Sequence, residues 1–286
     1  MWTSIFYELS PEDALRRIRG IGWPAVELST EHLVAIREDP DALARARAVR
    51  KLANALDLHM PQAHITIHVD VANAEEDRRR RDQAVVRRDV ELLAEIGIPV
   101  GVLHCGGGGE HPGGAREAYQ IRMAAMAELA DHAHRLGVRL ALENGTGARG
   151  GDDDPEWDGS VRALRTLIGR IGSPALGICL DTGHAILEKW DNVEAARVAG
   201  DLLIALHIAD NDGSGDQHRI PFAYGTQVDW PAVVAAIREV GYDGPFNLEI
   251  PGERGRPLEI LDALLRYALE VCNKLLAGQV GPPTRQ

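Results

Sequence analysis

The chain is 286 residues long and 45% apolar, a size ordinary for an α/β barrel and long for a single compact sandwich, so one large domain is expected. Its formal charge of −12 argues against a dominant polyanion partner, because nucleic-acid binding rests on a basic footprint. Cys105, Cys179 and Cys272 are odd in number and outside any CxxC spacing, which argues against both a disulfide framework and a thiolate zinc knot and leaves them as small buried apolar residues.

No apolar run approaches a membrane span, and Met1 leads into "WTSIFYELSPEDALRRI" without a basic-then-apolar leader, so a cytoplasmic protein is expected. Short β-type runs then alternate with longer amphipathic ones. The strand candidates are "TSIFY" (3–7), "AVELS" (25–29), "AHITIHV" (63–69), "VGVLHC" (100–105), "VRLALE" (138–143), "ALGICLD" (175–181), "LLIALHI" (202–208) and "FNLEI" (246–250). Between them lie helical patterns such as "SPEDALRRIRG", where Ser10 caps, Pro11 sits in the first turn and Gly20 closes, and "DWPAVVAAIREVG", opened by Asp229 and ended by Gly241. The basic run "EEDRRRRDQAVVRRD" (75–89) interleaves acids at helical spacing and reads as a solvated helix face.

Strand then helix, eight times over, predicts a (β/α)₈ barrel across residues 1–276, followed by a flexible tail at 277–286. A doubly wound open sheet is the alternative, and the glycine-rich turn after its first strand is missing. "CGGGGEHPGG" (105–114) follows the fourth candidate strand and lacks the Lys-Ser/Thr of a phosphate loop, so it is read as a flexible loop near the site. "ARGGDDDPEWDG" (148–159) reads as a surface loop.

In a barrel, the residues at the C-terminal strand ends converge on one mouth. The candidate strands deliver Glu27, His64 and His68, His104, Glu143, Asp181 followed by His184, His207 and Glu249, and the loop after the seventh adds Asp216 and His218. His68 alone suits hydrogen-bonded packing, and Glu27 stays unassigned between a salt-bridge partner and a site residue. Glu143, Asp181, His207 and Glu249 come from four strands, and four costly polar groups at one end point to a coordinated ion. Carboxylates and imidazoles favour zinc, manganese or cobalt(II) over a soft-metal site.

The stretches "PQAHITIHVDV", "ALENGTG", "GICLDTGHA", "LHIADNDGSGDQH" and "YGTQVDWPAVVAAIREVGYDGPFNLEI" resemble the xylose-isomerase-like TIM-barrel superfamily over about residues 4–270. The resemblance implies one divalent ion held by Glu143, Asp181, His207 and Glu249, with His184 and Arg219 orienting the substrate. Arg219 lies farther from His207 than the usual pattern has it. The chemistry implied is proton transfer on a carbon beside a carbonyl, with Glu143 and Glu249 as the acid/base pair and the ion stabilising an enediolate. The partner is then a small carbohydrate or keto-polyol, phosphorylated or not. An isomerase working on one face uses the same residues, and nothing in the chain opposes a homo-oligomer.

The same superfamily contains apurinic endonucleases with three zinc ions, and their ligand pattern also matches here. His64, His104, His184, Asp216 and His218 would then be additional ligands, for up to three ions. Against that reading, "DTGHA" has glycine before its histidine, the His207-to-Asp216 loop is short, and no aromatic and basic loop set suited to flipping a nucleotide is visible. A keto-inositol or keto-glycoside dehydratase or lyase is a third reading, and a non-enzymatic sugar-binding module a fourth.

Overall fold

Six parallel strands lie side by side in chain order in the computed structural model, which describes residues 1–106, 111–145, 159–223 and 228–281. After the helix α1 (Pro11–Ile21) come β1 (Ala25–Leu28), α2 (Thr30–Arg37), α3 (Ala42–Ala55), β2 (His59–His64), α4 (Glu76–Ile96), β3 (Val100–Leu103) and α5 (Gly114–Arg135). The chain continues through β4 (Arg139–Glu143), α6 (Val161–Ile171), β5 (Leu176–Asp181), α7 (Thr182–Leu187), α8 (Asn192–Ala199), β6 (Leu203–His207), α9 (Trp230–Glu239) and α10 (Leu258–Leu276).

Two single-residue bridges close this sheet into a barrel. Ile208 pairs with Leu248, whose carbonyl accepts the Trp2 N–H at 3.0 Å, and Trp2 pairs in parallel with Glu27. The eight expected positions are therefore filled, the first and last by one or two residues each. The segment expected as the first strand, 3–7, is instead a 3₁₀ turn over Thr3–Phe6. Its polar groups bond outside any ladder: Thr3 Oγ1 accepts the Ser29 N–H at 2.8 Å, and the Ser4 carbonyl accepts Tyr7 N–H at 3.0 Å and Gly252 N–H at 3.1 Å. The third expected strand, 63–69, runs over His59–His64, so His64 ends it and His68 falls in the loop beyond.

Local sequence explains the helices. Ser10 accepts the Asp13 N–H at 3.1 Å and Pro11 opens α1, which runs past Gly20 and is closed by Gly22 in the left-handed region (φ 114°). Asp229 likewise caps α9. α4 buries Val86, Val90 and Leu93 at helical spacing, while Arg80–Glu76 and Arg78–Asp82 pair on its outer face. Residues 107–110 of the glycine-rich stretch, 148–158 of the acidic stretch and 282–286 of the tail lie outside the described residues.

The site depends on the pleat. Side chains alternate along a strand, so the inward positions of β3 to β6 carry Val102, Ala141, Cys179 and Ala205, a small apolar layer packed inside the barrel. Two residues further on lie Glu143, Asp181 and His207 at the ends of their strands and His104 just past the end of β3. Apolar filling thus gives way to chemistry at the C-terminal end.

Candidate metal centre

At that end Glu143 (β4), Asp181 (β5), His207 (β6) and Glu249 (after the Leu248 bridge) each offer a ligand atom, all within 4.8 Å of one another. All four residues are buried. His207 Nδ1 lies 3.3 Å from Glu143 Oε1 and 3.4 Å from Glu249 Oε1. His207 Nδ1, Asp181 Oδ2 and Glu249 Oε2 are buried without a hydrogen-bond partner among the described residues. Three unpaired lone-pair atoms in one cluster are a cost that a bound cation removes.

The titration of the two glutamates carries the same strain. Burial alone would raise Glu143, but the His207 and His104 imidazoles hold it well below the usual carboxylate range. Burial pushes Glu249 well above that range; His207 opposes this, while the neighbouring Glu143 and Asp181 carboxyls add to it. Glu143 and Glu249 are thus pushed in opposite directions within one dry space, and a divalent ion suits the donor set of carboxylates and imidazole. Burial pushes the Cys105 and Cys272 thiols up to about 12, which disfavours either as a thiolate ligand.

The geometry answers why an apolar strand should end in "DTGHA". Asp181 Oδ1 accepts the His184 N–H at 2.7 Å and so caps α7, while Oδ2 faces the cluster. Gly183 keeps this turn tight, since a Cβ there would lie 3.2 Å from Asp181 Oδ1 and 3.4 Å from Ala209 Cβ. His184 Nδ1 donates to the Asn144 carbonyl at 2.7 Å and lies 3.3 Å from Glu143 Oε1. Burial opposes its charge, but Asp181, Asp216 and Glu143 raise the imidazole to about 11.

The further expected residues gather around this core. His64 Nε2 lies 3.4 Å and His104 Nε2 3.1 Å from Glu143 Oε2. Asp216 sits between His184 Nε2 (3.3 Å) and His218 Nε2 (3.1 Å). His104 and Asp216 are the open side, their side chains 38% and 34% exposed. His218 adopts a left-handed backbone (φ 45°) that places Nδ1 3.0 Å from the Glu249 carbonyl, a strained conformation held at the mouth. Arg219 forms an ion pair with Asp212 at 2.9 Å, and with His218, Ile250, Arg256 and Tyr267 it lines a cavity of about 670 Å³ beside the cluster. Nine ligand-type side chains therefore share one mouth, and Arg219 stands at its flank.

The sequence placed Glu27 at the mouth without a role and missed Gln62, Asn247, Asn144 and Trp2. Glu27 is fully buried and accepts from His207 Nε2 at 2.9 Å. Gln62 and Asn247 also donate to it, and they precede His64 and Glu249 by two positions, so the same period-two alternation could have found them. Asn144 holds Asp181 by both backbone groups, at 2.8 and 2.9 Å. The Trp2 ring lies 6.2 Å from that of His64 and 6.4 Å from that of His218, and its Nε1 is buried without a partner among the described residues.

The profile of the xylose isomerase-like TIM barrel family matches residues 15–273. The chain belongs to that family. Among its relatives, an uncharacterised protein of Sinorhizobium fredii is 26% identical over 185 residues, a match covering 62% of this chain and only 55% of that protein. The ketose 3-epimerase of Arthrobacter globiformis is 24% identical over 87% of this chain and 80% of its own length. A solved L-ribulose 3-epimerase superposes with a TM-score of 0.76 at 19% identity, covering 97% of this chain and 94% of that one, which establishes the shared barrel. No described helix is long and apolar enough to cross a membrane.

Proposed function

We propose that the chain is a divalent-metal-dependent epimerase or isomerase of a ketose or related keto-polyol. The observation that carries this reading is that Glu143 and Glu249, from strands three positions apart around the barrel, both come within reach of the same His207 nitrogen, at 3.3 and 3.4 Å. The epimerase relative supports the same chemistry.

Glu143, Asp181, His207 and Glu249 would hold the ion, which supplies Lewis acidity to a substrate carbonyl and its neighbouring oxygen. The protein's own groups do the rest. Glu143 takes the proton from a carbon beside the carbonyl and Glu249 returns one on the other face, the two exchanging roles when the reaction runs in reverse. His184, fixed by Asn144 and Asp216, orients substrate hydroxyls, and Arg219 contacts the distal end of the substrate along the adjoining cavity. The apolar layer below closes the barrel against water.

The test is solvent deuterium exchange at the carbon next to the carbonyl, over a panel of ketoses, keto-inositols and their phosphates. Exchange with inversion supports an epimerase, carbonyl migration an isomerase, and loss of water a dehydratase. A second reading, a zinc-cluster phosphodiesterase, is favoured by the approach of His64 and His104 to Glu143 Oε2 and by the Asp216 bridge from His184 to His218. Metal-dependent nicking of an abasic DNA substrate, with no sugar exchanging, would replace the first reading with the second.

A further inference from the structure

We infer that Glu27 is the positioning residue for His207, holding its proton on Nε2 so that Nδ1 is the atom presented to the ion. This rests on the proposed metal site and specifies how one of its ligands is set. Glu27 sits on β1 with no exposure, and Oε1 lies 2.9 Å from His207 Nε2. Its other oxygen accepts from Gln62 Nε2 at 2.8 Å and from Asn247 Nδ2. The amides spend their N–H groups on this carboxylate, while Gln62 Oε1 and Asn247 Oδ1 are left without partners among the described residues. A position serving packing alone would be filled at lower cost by an apolar residue.

The other imidazoles at the mouth make the distinction. His64 Nδ1 donates to the Ile65 carbonyl at 2.8 Å, His184 Nδ1 to that of Asn144 at 2.7 Å and His218 Nδ1 to that of Glu249 at 3.0 Å. Each is held at Nδ1 by a neutral carbonyl and turns Nε2 to a carboxylate of the mouth, His64 to Glu143 and both His184 and His218 to Asp216. His207 is held the other way round and by a charged acceptor, which turns Nδ1 to the cluster and raises its strength as a ligand. Glu27 touches neither substrate nor ion and acts through the ring.

The experiment uses the full chain, labelled with ¹⁵N-histidine and loaded with ¹¹³Cd²⁺. Long-range ¹⁵N–¹H spectra should show cadmium coupling at Nδ1 and the proton on Nε2 of one ring, assigned to His207 by its loss in His207→Gln. In Glu27→Gln, cadmium affinity by competition titration should fall about 10–100-fold, the usual effect of removing an outer-shell partner. Cadmium coupling at His207 Nε2, or a Glu27→Gln protein binding cadmium as tightly as the unaltered chain, overturns the inference. The spectrum of the unaltered chain decides the ring orientation even if the variant does not fold. Sugar exchange on the same preparations separates the two ideas: coupling at Nδ1 with weakened binding in the variant but no exchange leaves Glu27's role standing and removes the proposed reaction.

Discussion

Asp181 divides its two oxygens between structure and chemistry: Oδ1 accepts the His184 N–H at 2.7 Å, and Oδ2 lies buried at the cluster. The residue is a helix cap and a candidate ligand at once, and the two roles separate by substitution. Asparagine caps as well as aspartate but is a poor anionic ligand. Asp181→Asn should unfold in urea without metal at or above the wild-type midpoint, because a crowding charge is gone, while zinc affinity by calorimetry falls at least about tenfold. Asp181→Ala should lose about 1 kcal/mol more through the missing cap. Wild-type zinc affinity in Asp181→Asn would remove this residue from the ligand set.

The proposed pairing of Glu143 and Glu249 as acid and base predicts different losses for the two proton-transfer directions. Glu249→Gln should lower turnover about 10²–10⁴-fold, the usual worth of a positioned general base. Exchange of solvent deuterium should survive with the epimer whose proton Glu143 takes and vanish with the other. Isotope analysis of each epimer reads this directly. Loss of exchange with both epimers, at unchanged metal content, would favour a single base and an isomerase.

Chelation should abolish turnover and also lower thermal stability, because a ligand that binds only the native state stabilises it by mass action. At free metal 100-fold above Kd the gain is about 2.7 kcal/mol. Melting curves with EDTA and with excess zinc or manganese should therefore separate by several degrees, and in Glu143→Gln the gap should narrow. Identical melting with and without metal would mean that no ion sits in the folded barrel.

The barrel was legible because two signals repeat: period-two apolar runs and capped amphipathic helices, eight times. The misread first strand shows where that reasoning stops. "TSIFY" has strand composition, yet Thr3 and Ser4 bond across the rim to Ser29 and Gly252, and no propensity encodes a partner two dozen or more residues away. The four central candidate residues were legible because each ends a strand-type run, and Glu143, Asp181 and His207 each follow by two positions a small apolar residue of the inner layer. Glu27 was left unassigned for a related reason. Its meaning comes from His207, 180 residues away, and a lone carboxylate reads equally well as a surface pair or as a buried acceptor.

His32 makes a prediction independent of the site. It is buried in α2, with Nδ1 2.8 Å from Thr3 Oγ1 and Nε2 3.3 Å from the Leu9 carbonyl. This arrangement suits a neutral ring that donates from Nε2 and accepts at Nδ1, and burial lowers its pKa below 6.5, against the pull of Glu31. The unfolded chain therefore binds the proton first as pH falls, so stability is full above about 6.5 and declines below it, by at most about 1.4 kcal/mol per pH unit for this one group. The decline ends once pH passes the folded-state value. Because other groups titrate in the same window, the informative quantity is the difference from His32→Gln, which cannot take up that proton. Urea midpoints at pH 7.5, 6.5, 5.5 and 5.0 should show the wild-type advantage shrinking on the acid side. A constant difference across that range would mean that the ring takes up its proton in the fold as readily as in the unfolded chain, and an advantage growing on the acid side would mean that His32 is charged in the native fold and donates to Thr3 Oγ1.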